Sequence, residues 1–212
     1  GGEDRFWLGP EGGQFSIFFA KGAKFELADW FTPAAIDTLP FRVAGQSSDS
    51  VRFTSAFTLT NYSGTSFDVE VVRDVRLLDG ASGWKRLGVE AAPGVDLVAY
   101  ESDNAITNAG KAAWKRETGL LSIWILGMFN PSPATTVVVP IKAGPESELG
   151  PKVTSDYFGA VPPERLVVKD DVVFLSGDGR FRSKIGIGPR RSKGVLGSYD
   201  GEKQVLTIVQ FS

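Results

Sequence analysis

The chain has 212 residues, with 23 basic and 25 acidic side chains, a net charge of −2, and neither histidine nor cysteine. Without histidine it cannot carry a Ser-His-Asp triad or a histidine-bound metal, and without cysteine it cannot form disulfides, thiolate nucleophiles or cysteine-bound zinc. Because the charge is balanced, we expect no nucleic-acid partner, and because the most apolar stretch, residues 120–129, is short, we expect no membrane insertion. We also expect no metal and no cofactor.

The order of apolar and polar residues predicts strands from the start of the chain onward. After a first run at 15–19, residues 51–60 and 66–77 alternate apolar and polar side chains, as half-buried strands do. Turn residues at 61–65 join these two runs into a predicted hairpin. The pattern indicates one domain over residues 1–212, an all-β antiparallel β-sandwich.

The second half of the chain continues this pattern. Further strands are predicted at 95–100, 120–129, 135–141 and 205–211. A second hairpin is predicted where 171–176 meets 180–187 across Gly177-Asp178-Gly179, because Asp-Gly favours a tight turn. The best helical candidate, residues 108–119, contains a glycine and ends at another, so we expect at most a turn or two there.

The opening segment contains the first candidate binding residues, Arg5, Trp7, Glu11 and Gln14. Sugar recognition uses a flat aromatic face for the apolar side of the ring, and fixed charged or amide groups for the hydroxyls. This segment offers both on a glycine-rich backbone that can approach a ligand closely. The alternative is a strand-to-loop corner in which Trp7 simply packs.

A second polar and aromatic group comprises Tyr100, Asn104 and Trp124. These side chains are suited to sugar hydroxyls and ring faces. The alternative is that the polar residues of this segment begin turns.

A third group is basic. The region between Gly179 and Tyr199 has no acid and contains Arg182, Lys184, Arg190 and Arg191, which could seat a phosphate or a carboxylate. The alternative is a solvated strand face with a basic loop.

Four blocks of the sequence carry a resemblance to a known family. They are "GGEDRFWLGPEGGQFSIFF", "YESDNAITNAGKAAW", "GLLSIWILGMFNPSP" and "RSKIGIGPRRSKGVLGSYD", in that order. Together they resemble an uncharacterised bacterial-type family of the aldose 1-epimerase (galactose mutarotase-like) superfamily, over nearly the whole chain.

The resemblance implies a galactose mutarotase-like supersandwich with a carbohydrate cleft on its concave sheet, and it matches Arg5 to an arginine that helps hold the sugar. In mutarotases of this kind a histidine protonates the ring oxygen, and a glutamate late in the chain takes the anomeric hydroxyl proton. This chain has no histidine, and we expect it to be an excerpt that ends before that glutamate. Neither catalytic role transfers, so the catalytic residues stay unknown.

The favoured hypothesis is therefore a carbohydrate-binding, mutarotase-like domain, either non-catalytic as given or part of a larger sugar-active protein. Two alternatives stay open: a sugar or sugar-phosphate epimerase that works without histidine, and a structural β-sandwich that binds another protein. The expected partner is a carbohydrate ligand, and the expected location is extracytoplasmic, either periplasmic or secreted.

Overall fold

The computed structural model describes residues 4–212, which fold mostly into antiparallel strands. The strands are β1 (Arg5–Gly9), β2 (Arg42–Gln46), β3 (Ser50–Thr60), β4 (Ser66–Leu78), β5 (Ala99–Asn108), β6 (Ser122–Leu126), β7 (Thr135–Pro140), β8 (Leu166–Val168), β9 (Val172–Ser176), β10 (Val195–Asp200) and β11 (Val205–Gln210). Short helices are α1 (Ala34–Asp37), α2 (Gly80–Leu87), α3 (Glu146–Leu149) and a 3₁₀ turn (Leu27–Asp29). Within residues 4–212, no helix has the length and apolar character to cross a membrane.

Contacts divide the chain into two compact units. Unit 1 ends at Met128, and unit 2 is Phe129–Ser212. The prediction of a single domain over residues 1–212 stays a prediction.

Unit 1 is built on a four-stranded antiparallel sheet in the order β2-β3-β4-β5. Its centre is the hairpin predicted from the sequence, in which Thr60 of β3 pairs with Ser66 of β4. Residues 61–65 close this hairpin, and Asn61 and Thr65 are joined by a backbone hydrogen bond of 2.9 Å. The predicted hairpin is confirmed.

The core of unit 1 lies against one face of this sheet, which we call the inner face. Phe67, Val69 and Val71 of β4 point to it and are buried, whereas the residues between them are exposed. The antiparallel pair β1-β6 and the buried residues 17–19 contribute to the same hydrophobic cluster. Two layers therefore enclose the apolar side chains, as the predicted all-β sandwich requires.

Unit 2 is a five-stranded antiparallel sheet in the order β11-β10-β7-β9-β8. Val173 of β9, the strand between β7 and β8, is fully buried, as is Ile141 directly after β7. The predicted strands at 135–141 and 205–211 correspond to β7 and β11, and the one at 120–129 corresponds to β6 in unit 1.

Two predicted strands are wrong in position or kind. Residues 15–19 form no strand, because the Ser16 amide bonds back to the Gly13 carbonyl and the Ser16 hydroxyl accepts from the Phe18 amide, so the segment curls into the core. The strand expected at 95–100 begins only at Ala99, because the Val95 amide is engaged in a turn with the Ala92 carbonyl.

The predicted hairpin across Gly177–Gly179 is also wrong. The strand at its start, β9, already has β7 on one side and β8 on the other, so neither of its edges can accept residues 180–187. These residues leave the sheet instead, and Gly186 pairs with Thr154 in an isolated bridge.

The helical candidate at 108–119 contains no helix. The Asn108 side chain accepts from the Gly110 amide at 3.0 Å and donates to the Ala112 carbonyl at 2.8 Å, which fixes a turn at the end of β5. A second turn follows, where the Gly119 amide bonds to the Lys115 carbonyl.

Candidate functional site

The inner face of the four-stranded sheet carries a buried arginine, Arg73, in the alternating run of β4. Its side chain is 10% exposed. Its Nη2 lies 2.8 Å from the Asp4 carboxylate and donates to the Asp4 carbonyl at 2.6 Å. Because a buried guanidinium is costly without a counter-charge, Asp4 is what allows Arg73 to occupy an inward position.

Asn104 of β5 lies directly opposite Arg73 in the sheet. Residues opposite each other share a face, with Cβ atoms about 4.5–5.5 Å apart. The Asn104 amide nitrogen donates to the Ser102 hydroxyl at 3.1 Å on the same strand. We call Asp4, Arg73, Ser102 and Asn104 the inner-face site.

Two oxygens of the inner-face site have no hydrogen-bond donor among residues 4–212. They are Asp4 Oδ1 and Asn104 Oδ1, and both are buried. Burying an acceptor without a donor costs about 1–3 kcal/mol, so such atoms are uncommon in a folded chain. The site therefore combines a paired guanidinium with two buried acceptors that have no donor among the described residues.

The inner face continues beyond this site along β4 and β5 to the pair of Leu77 and Tyr100. Tyr100 of β5 lies opposite Leu77 of β4, and both side chains are exposed. Tyr100, Ser102 and Asn104 alternate along β5 and form one row of polar groups on the inner face. Two of the residues predicted for a sugar site, Tyr100 and Asn104, thus share one surface.

The residues predicted at the start of the chain form a separate cluster around β1. The Arg5 guanidinium pairs with the Asp37 carboxylate and lies 4.8 Å from the centre of the Trp7 ring. The Trp7 indole nitrogen donates to the Glu11 carboxylate at 3.2 Å. The structure therefore brings Arg5, Trp7 and Glu11 together.

Trp7 is a core residue in this cluster. It is 7% exposed and stacks on Phe18, with ring centroids 5.1 Å apart. Its pairing partner in β6, Trp124, is 36% exposed. A Cβ atom at Gly9 would lie 2.9 Å from the Trp124 ring, so glycine permits this close approach to β1. The exposed indole of the pair is thus that of Trp124.

Gln14 lies in the turn that follows, where its carbonyl accepts from the Ser63 hydroxyl at 2.6 Å. Gln14 is exposed, and its described hydrogen bond is to Ser63 rather than to Arg5 or Trp7. Of the four residues predicted in this segment, Gln14 is therefore the one set apart.

The four basic residues predicted for an anion site lie in unit 2 in different surroundings. Arg191 is fully buried, and it donates to the carbonyls of Lys142, Gly144 and Gly150 at 2.8–3.0 Å. It therefore holds the loop before and after α3. Arg190 is exposed, whereas Arg182 and Lys184 each lie over an aromatic ring.

The outer face of the four-stranded sheet carries two groups of paired charges. Arg52 bonds to the Asp74 carboxylate through two nitrogens, both at 2.7 Å, and this hydrogen bonding lowers the pKa of Asp74 below its usual 3.8. Glu101 lies between Arg76 and Arg86, at 3.2 and 2.8 Å. These pairs account for the carboxylates of Asp74 and Glu101 without a ligand.

Asp4, Arg73 and Ser102 are the residues of the inner-face site that reasoning from the sequence missed. Arg73 follows Phe67, Val69 and Val71 at the spacing of two, so it is a charge in an inward position of an otherwise apolar row. An inward charge on a half-buried strand is the signal that could have found it. Asp4 has no comparable local signal, because the partner is 69 residues away in the chain.

The fold and the site define an all-β protein of antiparallel sheets with a buried polar site on an inner sheet face. A family model described as a family of unknown function, DUF6786, matches residues 1–212. The chain belongs to this family. No curated protein and no solved structure matches the sequence.

Proposed function

We propose that the chain is a carbohydrate-binding protein of the galactose mutarotase-like kind, and that a neutral sugar binds on the inner face of unit 1. The observation that carries the proposal is the pair of buried acceptors, Asp4 Oδ1 and Asn104 Oδ1, beside the Arg73 guanidinium. The domain binds without catalysis as given, or serves as part of a larger sugar-active protein.

The chemistry of the inner-face site favours a hydroxyl-rich ligand. A sugar hydroxyl both donates and accepts, so neighbouring hydroxyls can donate to the two oxygens and accept from Arg73 or Ser102. Asp4 already balances the charge of Arg73, so the ligand need not be ionic. The row formed by Ser102 and Tyr100 extends the contact surface along β5.

The resemblance to the mutarotase-like superfamily supports the same surface, because it implies a sugar cleft on a concave sheet. The carboxylate of the inner-face site, Asp4, is paired with Arg73, which suits holding a ligand better than transferring protons. An extracytoplasmic location, where a binding protein meets sugars directly, belongs to the same proposal.

Titration calorimetry of the full chain with a panel of neutral monosaccharides and oligosaccharides tests this function. We expect binding by at least one sugar, and we expect Asn104→Ala to weaken it about tenfold, because a lost hydrogen bond is worth about 1–1.5 kcal/mol. Asp103→Ala is the matched control, since Asp103 is the exposed neighbour on the other face of the same strand.

Two results would overturn the proposal. If no sugar in the panel releases or absorbs heat, the function is wrong. If a sugar binds but Asn104→Ala and Asp103→Ala bind it equally well, the inner-face site is wrong.

A further inference from the structure

Unit 2 presents exposed aromatic rings on two segments that a backbone bridge joins. Backbone hydrogen bonds of 2.9 and 2.8 Å pair Thr154 with Gly186, and the Gly159 amide bonds to the Asp156 carbonyl at 3.1 Å in a turn that contains Tyr157 and Phe158. Tyr157 is 62% and Phe158 is 46% exposed, and their rings meet edge to face at 4.7 Å. Rings this exposed form part of the surface rather than of a core.

Each of these rings has a cation above it. The Lys184 ammonium lies 4.3 Å from the centre of the Tyr157 ring, and the Arg182 guanidinium lies 4.3 Å from that of Phe158. A third exposed ring, Phe181, lies 5.4 Å from the Arg165 guanidinium. We call Tyr157, Phe158, Phe181, Arg182 and Lys184 the ring–cation surface.

The charge of this surface is positive, although the whole chain has a net charge of −2. Residues 180–186 contain three basic residues and no acid, against one acid, Asp156, in residues 154–159. The nearby Asp178 is paired with Arg165, which leaves Asp178 unable to neutralise Arg182 as well. The ring–cation surface therefore attracts anions at short range, within the screening length of the solution.

We propose that the ring–cation surface binds an acidic polysaccharide whose pyranose rings carry carboxylates. The apolar face of each sugar ring would stack on an aromatic ring, and its carboxylate would pair with the adjacent Arg182. A neutral polysaccharide would use the rings but would gain nothing from the charge of Arg182. This site lies in unit 2 and does not rest on the proposed sugar site of unit 1.

A nucleic acid fits the surface less well than a polyuronate does. Non-specific nucleic-acid binding depends on several phosphate contacts and is found in strongly basic domains, whereas this chain is slightly acidic, with a sequence pI near 5.3. The edge-to-face arrangement of Tyr157 and Phe158 also differs from the successive parallel platforms on which bases stack.

Binding of a fluorescent oligogalacturonate to the full chain tests the proposal. We expect saturable binding that weakens when NaCl is raised from about 0.05 M to about 0.5 M, because exposed charges are screened over a few ångströms in concentrated salt. The fully methyl-esterified oligomer has the same rings without the carboxylates, so we expect it to bind at least about tenfold more weakly.

Two variants locate the binding. We expect Arg182→Gln to weaken oligogalacturonate binding about tenfold, because it removes the charge over Phe158. Lys169→Gln is the matched control, since Lys169 also lies over a ring, that of Phe174, but at the other end of β8 from Arg165. We expect its affinity to equal that of the unchanged chain.

Each contrary result overturns the proposal. These results are the absence of oligogalacturonate binding, equal binding of the methyl ester, an unchanged affinity in Arg182→Gln, and tighter binding of oligo(dT) than of the uronate. Failure here leaves the calorimetric test of the inner-face site unaffected, because that test uses neutral sugars and a residue of unit 1.

Discussion

At the scale of single residues, Asn61 ties two loops of unit 1 together. It is 2% exposed; its amide oxygen accepts from the Thr65 amide at 2.9 Å, and its nitrogen donates to the Thr118 carbonyl at 2.9 Å. Gly119, at φ +107°, leaves the space for this contact, since a Cβ atom there would lie 2.7 Å from the Asn61 nitrogen. Asn61-Tyr62-Ser63 is also a glycosylation sequon, but the folded chain hides its amide.

We expect Asn61→Ala to lower the free energy of unfolding by about 1–3 kcal/mol, because it leaves two backbone groups unpaired. Urea unfolding followed by tryptophan fluorescence measures this. Ser63→Ala also removes the sequon but loses only an exposed bond to the Gln14 carbonyl, so we expect a change within about 0.5 kcal/mol. Equal stability of the two variants would show that Asn61 does not hold these loops.

Asp178 makes the stability of the chain depend on pH in the acidic range. The hydrogen bond from Arg165 and a second one from the Arg180 amide lower its pKa from 3.8 to about 2 in the folded state. Because this pKa is lower in the folded chain than in the unfolded chain, Asp178 stabilises the fold fully at pH values above its pKa in the unfolded chain. The stabilisation is lost as the pH falls from about 4 to about 2.

We therefore expect Asp178→Asn to reduce stability at neutral pH, and to flatten the part of the fall in stability between about pH 4 and about pH 2 that Asp178 causes. Urea unfolding at a series of pH values measures both effects. Asp103→Asn, an exposed carboxyl of β5, serves as the comparison. An unchanged acid profile in Asp178→Asn would contradict the assignment of this titration to the Arg165 pair.

Reasoning from the sequence found part of the candidate site. It named Tyr100 and Asn104, which lie on the inner face, and Arg5, Trp7 and Glu11, which lie together. It left open whether Trp7 faces a ligand or packs, because stacking on Phe18 depends on a turn between them. It also could not distinguish Arg191, which binds carbonyls, from the exposed Arg190 beside it, because that difference comes from distant backbone.

At the scale of elements, alternation predicted the strands whose two faces differ. β3 and β4 have one buried and one exposed face, so period two is visible in the sequence. The prediction of a hairpin after β9 was wrong because Asp-Gly indicates only a turn. Both edges of β9 are paired with other strands, β7 and β8. Local sequence carries no information on which edges are occupied.

The helix α2 was missed, although its signals are local. Asp79 accepts from the Ser82 amide at 2.7 Å as the N-cap, and Gly88, at φ 71°, ends the helix as the left-handed cap. An aspartate and a glycine at the two ends of a short polar run are recognised helix boundaries. The helix was not predicted because two of its residues, Gly80 and Gly83, lower the helix propensity of this segment.

Close packing between β10 and β11 depends on Gly197. A Cβ atom there would lie 2.3 Å from the Thr207 carbonyl oxygen, which belongs to the backbone and cannot rotate away. We therefore expect Gly197→Ala to separate these two strands locally and to lower the thermal unfolding temperature. Hydrogen exchange of the β11 amides, together with the melting curve, measures both effects.

Gly45→Ala is the control for this substitution. Gly45 also lies in a strand, β2, but a Cβ atom there would meet nothing within 4 Å. We expect this variant to melt at or slightly above the temperature of the unchanged chain, because alanine restricts the unfolded state more than glycine does. Equal unfolding temperatures of the two variants would show that the close contact at Gly197 does not determine the stability of this strand pair.

At the scale of the whole molecule, the balanced charge hides two different local environments. The inner-face site of unit 1 is internally neutralised by Asp4 and Arg73, whereas the ring–cation surface of unit 2 is positive. The alternation of apolar and polar residues predicted correctly that the described fold is β-rich. The net charge could not reveal either environment, because both depend on which residues the sheets bring together.

The most direct measurement of the central claim is a side-chain nitrogen–proton NMR spectrum of the labelled chain during addition of a neutral sugar that binds in calorimetry. We expect the Asn104 amide and Arg73 Nε signals to shift with one common saturation curve, and the Arg52 Nε signal on the outer face to stay in place. Shifts confined to other side chains, or an unshifted Asn104 amide at saturating sugar, would contradict a carbohydrate site on the inner face.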